Sequence, residues 1–292
     1  MRQSASVLGF TSLVMLASCK QSGTPAAPVS EAGVSDNADA GAPVSVCGGM
    51  PCETFDDDAA AFARVLVDEP LVIGIGETHA QKDKEGPSTT KLFTDELLPT
   101  LEGKSSHLIL ELWVANGSCG KKEKEVLTKQ KEVTQNQADT NQNEFVTLGN
   151  AAKARGIEPH VLMPSCDEYA AVLDAGAGDI DQMLTVIGRL SADRVERALR
   201  KDPKKIVVAY GGAMHNDLSP RAGREAWSYG PRMAKLTANK YVELDLIKPA
   251  AIGDSAVWKE QPWYAAFHPA LQGKKAVLMT VSRGSYVLFL RP

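Results

Sequence analysis

Short apolar runs alternate along the chain with stretches in which apolar residues recur every three or four positions. The run at residues 71–75 holds no polar residue, which is typical of a strand buried on both faces of a sheet. Residues 56–67 carry apolar positions at Phe62, Val65 and Leu66, a spacing that predicts an amphipathic helix. The same two patterns predict further strands at 107–112, 157–163, 206–210 and 241–245, and further helices at 88–98, 144–155 and 179–200.

This alternation predicts an α/β fold with a mostly parallel central sheet flanked by helices. Residues 276–281 and 286–290 flank the turn sequence Ser-Arg-Gly-Ser, which predicts an antiparallel C-terminal hairpin at the edge of the sheet. Ser191 is a candidate N-cap for the second half of the helix at 179–200.

The N-terminus resembles a lipoprotein export signal. Arg2 precedes an apolar segment at residues 7–17, which is too short to span a bilayer. That segment ends in Leu-Ala-Ser-Cys, which resembles the bacterial lipobox, so we expect a signal peptide at residues 1–18 and lipidation of Cys19. The alternative is an ordinary secretory signal followed by a chance cysteine. Lys20 is not an inner-membrane retention residue, which favours a lipid anchor in the outer membrane of the cell envelope, on its periplasmic or surface face.

The distribution of apolar residues also divides the chain into segments. Residues 20–46 contain no Leu, Ile or aromatic side chain, so they cannot bury enough apolar surface to offset the entropy of ordering. We therefore predict a disordered tether at residues 19–46 and a single domain at residues 47–292. Within that domain, residues 120–143 are rich in Lys, Glu, Asn and Gln, which predicts a polar surface insertion that is partly helical.

Composition narrows the class of protein. Hydrophobic residues make up 43% of the chain and charged residues 23%, values that exclude collagen, coiled coil and wholesale disorder. Asp and Glu number 36 against 32 Lys and Arg, so a basic surface for nucleic acid is not expected. Past the N-terminus, no apolar run approaches the ~20 residues that a membrane-spanning helix needs.

Four cysteines lie in the predicted domain, and an even number in an exported protein favours disulfides. Cys119 and Cys166 each follow a predicted strand by a few residues, so both should lie on one rim of the sheet. We favour a Cys119–Cys166 bond together with a local Cys47–Cys52 bond, while other pairings and free thiols stay open. A four-cysteine zinc site is disfavoured because there is only one close pair and its spacing is wrong.

Polar residues collect where three of the predicted strands end. The first strand runs into Glu77 and His79, the second ends at Glu111, and the fourth runs into His215. Ligands of open α/β sheets bind outside the carboxyl ends of the strands, so these four side chains should converge on one pocket. The pattern Gly-x-x-His occurs twice, each time after a buried strand, which favours a functional role over one as helix caps or loop residues.

The residue types in this pocket suit metal-assisted hydrolysis of an ester or a peptide. In that hypothesis His79 or Glu77 acts as general base toward water, and His215 orients the substrate carbonyl. His79, His215 and Glu111 would alternatively hold a divalent cation of the zinc or manganese type with an open coordination position. Glu111 also has a purely structural alternative, as a strand-end carboxylate that caps a neighbouring helix.

The segments LVIGIGETH, HLILELW, AAKARGIEPHVLMP and VVAYGGAMHNDLSPRAGREAWSYGPRM resemble blocks of the ChaN-like proteins in the Tiki/TraB/erythromycin-esterase superfamily, over about residues 56–248. The resemblance implies a shared site, with matching positions at Glu77, His79, Glu111 and His215. It does not imply one function. ChaN-like members are haem-binding lipoproteins of iron uptake, Tiki members are metal-dependent proteases, and erythromycin esterases hydrolyse a lactone.

The ChaN branch implies the alternative function of a haem- or iron-binding uptake lipoprotein without catalysis. A His or Tyr would then ligate the iron, with His79, His215, Tyr210 and Tyr229 available. No Cys-x-x-Cys-His motif is present, so covalent haem attachment is excluded. This function predicts an open apolar face that a homodimer could complete. Among Arg221, Arg224 and Arg232, one could bind a haem propionate or an anionic group of a substrate, while solvated surface is the favoured role for at least two. Trp258, Trp263 and Tyr264 could line the apolar face, but plain packing is their favoured role.

Overall fold

The computed structural model describes residues 45–82, 84–176, 180–253, 256–267 and 275–291. The predicted signal peptide, Cys19 and most of the predicted tether lie outside the described residues. The strands are β1 Ser45–Cys47, β2 Met50–Phe55, β3 Val72–Glu77, β4 Ser105–Trp113, β5 Glu158–Leu162, β6 Ile206–Gly212, β7 Tyr241–Ile247, β8 Ala276–Ser282 and β9 Ser285–Phe289. The helices are α1 Asp58–Leu66, α2 Thr89–Leu92, α3 Lys121–Val133, α4 Asn141–Ala154, α5 Cys166–Asp174, α6 Asp181–Lys201, α7 Gly230–Leu236 and α8 Ala256–Lys259.

The nine strands of the described chain form one mixed sheet in the order β1-β2-β8-β9-β7-β3-β6-β4-β5. The six strands from β9 to β5 are parallel, and β8 runs against them. The α/β class and the C-terminal hairpin are as predicted. The pair β1 and β2 was not predicted; β2 adds to β8 and extends the antiparallel part of the sheet past the hairpin.

Alternate side chains of the parallel strands enter two separate cores. On one face Ile73 and Ile75 of β3 belong to the same apolar cluster as Phe62 of α1. On the other face Val207 of β6 belongs to a cluster that includes Val195 of α6. Each such side chain contributes roughly 1.5–3 kcal/mol when fully buried, so both faces of the sheet must be apolar. Double burial is why these strands appear in the sequence as uninterrupted apolar runs.

The long helix predicted at 179–200 is the continuous helix α6, which begins at Asp181. Residue 179 lies outside the described residues. Ser191 is buried in the middle of this helix, so its predicted role as an N-cap is wrong. The physical reason is that Leu190 and Val195 continue one buried stripe across Ser191, and packing of that stripe outweighs the weak local preference of serine for a helix end.

The polar insertion forms helix α3 and then a connection to α4. Helix α4 begins at Asn141, three residues before the predicted start, so residues 141–143 belong to it. The other predicted helix at 88–98 is α2, which continues through a π-helical turn at Phe93–Leu97 and a 3-10 turn at Leu98–Leu101. In the part of the chain described, no helix combines the length and the apolar character needed to cross a bilayer.

Both favoured disulfides are present. Cys47–Cys52 joins β1 to β2, and Cys119–Cys166 joins the segment before α3 to the first residue of α5. The second bond spans a sequence separation of 47 residues and therefore ties the polar insertion to the body of the domain.

Candidate functional site

The strand ends that carry the predicted residues are neighbours in the sheet. β6 lies between β3 and β4, and the three strands are parallel. The register pairs Glu77 with Gly212 and Tyr210 with Leu110. The carboxyl ends of these three strands therefore reach the same edge of the sheet, which is where open α/β sheets bind ligands.

Glu77, the last residue of β3, is buried and orients the ring of His79. Nδ1–H of His79 donates to Oε1 of Glu77 over 2.8 Å. The His79 side chain is 23% exposed, whereas that of Glu77 is 1% exposed. Because Nδ1 is engaged, Nε2 is the ring nitrogen of His79 that remains for a substrate or a ligand.

The pKa of His79 is raised from 6.5 to about 9. Burial by itself lowers this pKa, but the hydrogen bond to Glu77 and the negative charges of Glu77 and Glu111 outweigh burial. The imidazole is therefore cationic at neutral pH. A group that binds to Nε2 must first displace its proton.

The second carboxylate oxygen of Glu77 is also committed. Oε2 accepts hydrogen bonds from Thr90 Oγ1 at 2.7 Å and from the Tyr210 hydroxyl at 2.6 Å. Burial, followed by the charge of Glu77, raises the pKa of Tyr210 well above its ordinary value, so this phenol stays neutral and donates. Tyr210 and Tyr229 are both buried, and neither phenol considered as an iron ligand reaches the surface.

Glu111 fills the space that two glycines leave at the end of β6. Its Oε2 accepts the backbone N–H of Gly212 over 2.6 Å. A Cβ at residue 211 would stand 2.4 Å from that oxygen. A Cβ at residue 212 would stand 3.1 Å from His79 Nε2 and 3.6 Å from Glu111 Oε2. His79 and Glu111 therefore share the space beside Gly212, and a larger residue would separate them.

His215 faces the other oxygen of Glu111 from a buried position. Its Nδ1 lies 2.8 Å from the carbonyl oxygen of Trp227, and because a carbonyl only accepts, Nδ1 carries the hydrogen. Nε2 then faces Glu111 Oε1 across 3.5 Å, and the His215 side chain is 5% exposed. Glu111 thus contacts the second Gly-x-x-His motif at both its backbone and its imidazole.

The connection between α3 and α4 pairs with the segment that follows His79. The Ala138 N–H donates to the carbonyl of Ala80 over 2.7 Å, and the Lys82 N–H donates to the carbonyl of Asn136 over 3.1 Å. The polar insertion therefore also has a structural role, because its backbone hydrogen bonds hold the residues that follow His79.

A buried acid that the sequence analysis missed lies beside the first Gly-x-x-His motif. Asp245 Oδ1 accepts the side-chain N–H of Asn216 over 2.9 Å. Burial, followed by the charge of Glu243, raises the pKa of Asp245 well above its ordinary value. A Cβ at Gly76 would stand 2.4 Å from Asp245 Oδ1, which explains a glycine there. The signal in the sequence is an acidic residue inside the apolar strand β7.

The predicted metal centre requires the ligand atoms of His79, Glu111 and His215 to lie close together. Among the described residues, the ligand atoms of His107, Glu158 and His160 all lie within 4.8 Å of one another, whereas His79, Glu111 and His215 do not form such a group. A divalent cation held by His79, Glu111 and His215 therefore stays a prediction. Neither His107, which begins a predicted strand, nor His160 was a candidate in the sequence analysis.

The neighbouring candidates are engaged elsewhere. Trp263 is buried in the core under β8 and β9, in agreement with the favoured packing role. The three arginines after the second motif contact other side chains at the surface: Arg221 pairs with Glu260, Arg232 pairs with Asp193 and Glu196, and the guanidinium of Arg224 lies 5.2 Å from the ring centroid of Trp227.

Two solved structures resemble this chain. The type III effector HopBA1 matches with a TM-score of 0.39 and 14% identity, over 71% of this chain and 92% of that chain. ChaN of Campylobacter jejuni, a structure described by its cofacial haem binding, matches with a TM-score of 0.36 and 13% identity, over 79% of this chain and 91% of that chain. No protein-family model and no curated protein matches.

Proposed function

We propose that this protein is a lipid-anchored binding protein of the cell envelope that holds haem through the Nε2 atom of His79. The observation that carries the proposal is the Glu77–His79 hydrogen bond of 2.8 Å, which commits Nδ1 and leaves Nε2 on a partly exposed ring. Among the four predicted site residues, His79 is the one whose side chain has the largest exposed fraction.

The residues present fit an imidazole ligand of haem iron. A ligating histidine generally donates its other ring N–H to a carboxylate or a carbonyl, which sets the ring orientation and increases the basicity of the ligating nitrogen. Glu77 serves this purpose for His79, and Thr90 and Tyr210 in turn hold Glu77. The Nε2 atom of His79 would hold the iron that haem, when bound, would supply.

His215 is a poorer candidate for the iron ligand. Its side chain is 5% exposed, and its Nε2 faces Glu111 rather than solvent. We assign it to positioning Glu111, which also borders the space beside Gly212. The proposed ligand class agrees with the resemblance to the ChaN branch, and the proposal itself rests on His79.

The proposal includes a location, which is a lipid anchor in the cell envelope. The Leu-Ala-Ser-Cys sequence that ends at Cys19 supports lipidation, and the apolar-poor segment at residues 20–46 supports a tether between the lipid and the domain. A lipid-tethered domain with a partly exposed imidazole is suited to hold a ligand close to a membrane surface.

A haemin titration followed by visible absorption tests the proposal. The purified chain should shift the Soret band, and His79→Ala should weaken binding by at least about tenfold. His160→Ala is a matched control, because it removes an imidazole from a different region of the fold. Absence of a Soret shift, or equal affinity in His79→Ala and the unmodified chain, would overturn the proposal.

One observation favours a second candidate function, hydrolysis of an ester or a peptide. Nε2 of His215 faces Glu111 Oε1 across 3.5 Å, and His79 lies next to the same carboxylate. In this candidate His79 is the general base once it has lost its proton, and His215 orients the substrate carbonyl. Glu77 positions His79, since both oxygens of Glu77 already accept hydrogen bonds.

The two functions separate in an activity assay. A panel of esters and peptides is incubated with the purified chain, with and without added zinc or manganese. Turnover that is lost in both His79→Ala and Glu111→Gln but kept in His160→Ala would establish hydrolysis. A panel without turnover, together with a Soret shift that depends on His79, would leave haem binding alone.

A further inference from the structure

A second cluster of ligand side chains lies where β4 and β5 begin, at the opposite end of these strands from Glu111. The register of the two strands pairs His107 with Glu158 and Ile109 with His160. Nδ1 of His107 lies 3.0 Å from Nε2 of His160 and 3.5 Å from Oε2 of Glu158. Three ligand atoms on adjacent strands therefore face one small volume.

Asp202 at the end of α6 determines which nitrogen of His107 faces that volume. Nε2 of His107 lies 2.9 Å from Asp202 Oδ2, and because a carboxylate accepts, Nε2 carries the hydrogen. The neutral ring then has its lone pair on Nδ1. This lone pair points at His160 Nε2 from a side chain that is 1% exposed.

We propose that His107, His160 and Glu158 form a binding site for a divalent cation of the zinc class. Tetrahedral zinc with bonds of about 2.0–2.1 Å holds its ligand atoms roughly 3.3 Å apart, and the separations of 3.0 and 3.5 Å bracket that value. Asp202 supplies the carboxylate that commonly orients a metal-bound histidine. Three protein ligands leave a fourth position for water.

The site is reached from solvent along the Glu158 side. The side chain of Glu158 is 50% exposed, and its Oε2 accepts a hydrogen bond of 2.6 Å from the ammonium of Lys201. Lys201 therefore competes with the cation for Glu158. An exposed ion pair of this kind contributes little to stability, so a cation can displace it.

The alternative to a shared cation is a direct hydrogen bond between His107 and His160. In that case Nε2–H of His160 donates to Nδ1 of His107 and no cation binds. The two structures differ in the effect of Lys201, because removing this competitor strengthens cation binding only when Glu158 is a ligand.

Titration of the purified, chelator-treated chain with Co²⁺ and with Zn²⁺ tests the proposal, read by the visible bands of tetrahedral Co²⁺ and by calorimetry. His160→Ala should weaken binding by at least about tenfold, Asp202→Asn by roughly 10–100-fold, and Lys201→Ala should tighten it by a few-fold. These three variants alter exposed or half-exposed positions, so they avoid the buried ring of His107. Glu260→Gln, which removes an exposed carboxylate paired with Arg221, is the matched control and should bind as the unmodified chain does, while His79→Ala reports on the separate cation site predicted at His79, Glu111 and His215.

The outcomes separate this proposal from the function assigned to His79. Stoichiometric binding that is lost in His160→Ala and kept in His79→Ala supports the cluster whether or not haem binds. Binding that is unchanged in His160→Ala, or loss in His79→Ala instead, overturns it. No tetrahedral Co²⁺ spectrum and no calorimetric signal at millimolar metal would leave the direct hydrogen bond as the structure of the pair.

Discussion

Nδ1–H of His79 donates to Oε1 of Glu77 over 2.8 Å, two residues apart in the chain and at the end of a buried strand. The carboxylate is almost completely buried while the imidazole is partly exposed. Of these two side chains, His79 is therefore the one that a ligand can reach, and Glu77 sets the orientation and the protonation of its ring.

Replacing Glu77 by Gln should lower the pKa of His79 from about 9 toward 6.5. The substitution removes the negative charge that outweighs burial of the ring, while it keeps the size of the side chain. The measurement is an NMR titration of the His79 ring. Tyr210→Phe is the control, because it keeps the charge of Glu77. An unchanged pKa in the Gln variant would show that Glu77 does not control His79.

The same pair makes stability depend on pH in a defined direction. The folded-state pKa of His79 is about 9, above its ordinary 6.5, so the stabilisation is complete below pH 6.5 and is lost as the pH rises through about 9. Its size is on the order of 3 kcal/mol. Urea unfolding at pH 6 and pH 9.5 measures it as the difference between the unmodified chain and His79→Asn, because other titrating groups cancel. Equal pH dependence of the two chains would contradict it.

The two glycines at the end of β6 should differ in their tolerance of a methyl group. In Gly211→Ala the new Cβ would stand 2.4 Å from Oε2 and 2.8 Å from Cβ of Glu111, so the strand itself must move, at a cost of about 1–3 kcal/mol. In Gly212→Ala the nearest atom is His79 Nε2 at 3.1 Å, on a ring that can shift, so the cost should be smaller. Thermal or urea unfolding of the two variants gives the comparison. A larger loss for Gly212→Ala would mean that the His79 ring is held more rigidly than Glu111.

The two disulfides should contribute unequally to stability. Loss of chain entropy in the unfolded state predicts about 4 kcal/mol for the Cys119–Cys166 bond, whose residues are 47 apart, and about 2 kcal/mol for Cys47–Cys52, whose residues are 5 apart. Unfolding of the two Cys→Ser double variants measures the difference. A greater loss from the shorter loop would point to native contacts of β1 and β2 as the dominant effect.

A strand or helix could be predicted from the sequence when its own residues carry the pattern, and could not be predicted when it depends on pairing or packing with a distant segment. The parallel strands are buried on both faces, so each one shows as an apolar run regardless of its neighbours. β1 and β2 lack such a run, and β2 is a strand because it pairs with β8, more than two hundred residues later in the chain. Ser191 shows the reverse case, in which a local helix-start preference loses to packing of a long apolar stripe.

The residues of the candidate site could be predicted from the sequence, but their hydrogen-bond partners could not. Glu77, His79, Glu111 and His215 could be proposed from the sequence because polar residues directly follow apolar strands. Their partners could not be identified, since Tyr210 meets Glu77 across a separation of 133 residues. The cluster of His107 and His160 gives no local signal either, because its contacts cross separations of 53 and 95 residues.

The order of apolar and polar residues was enough to determine an α/β domain with acids and imidazoles at one edge of its sheet, because burial and strand direction act on each segment separately. Which imidazole is exposed, which carboxylate has both oxygens occupied, and which histidines meet at the opposite strand ends depended on the tertiary structure. These properties arise from hydrogen bonds and desolvation between distant segments, and they exist only once the chain has folded.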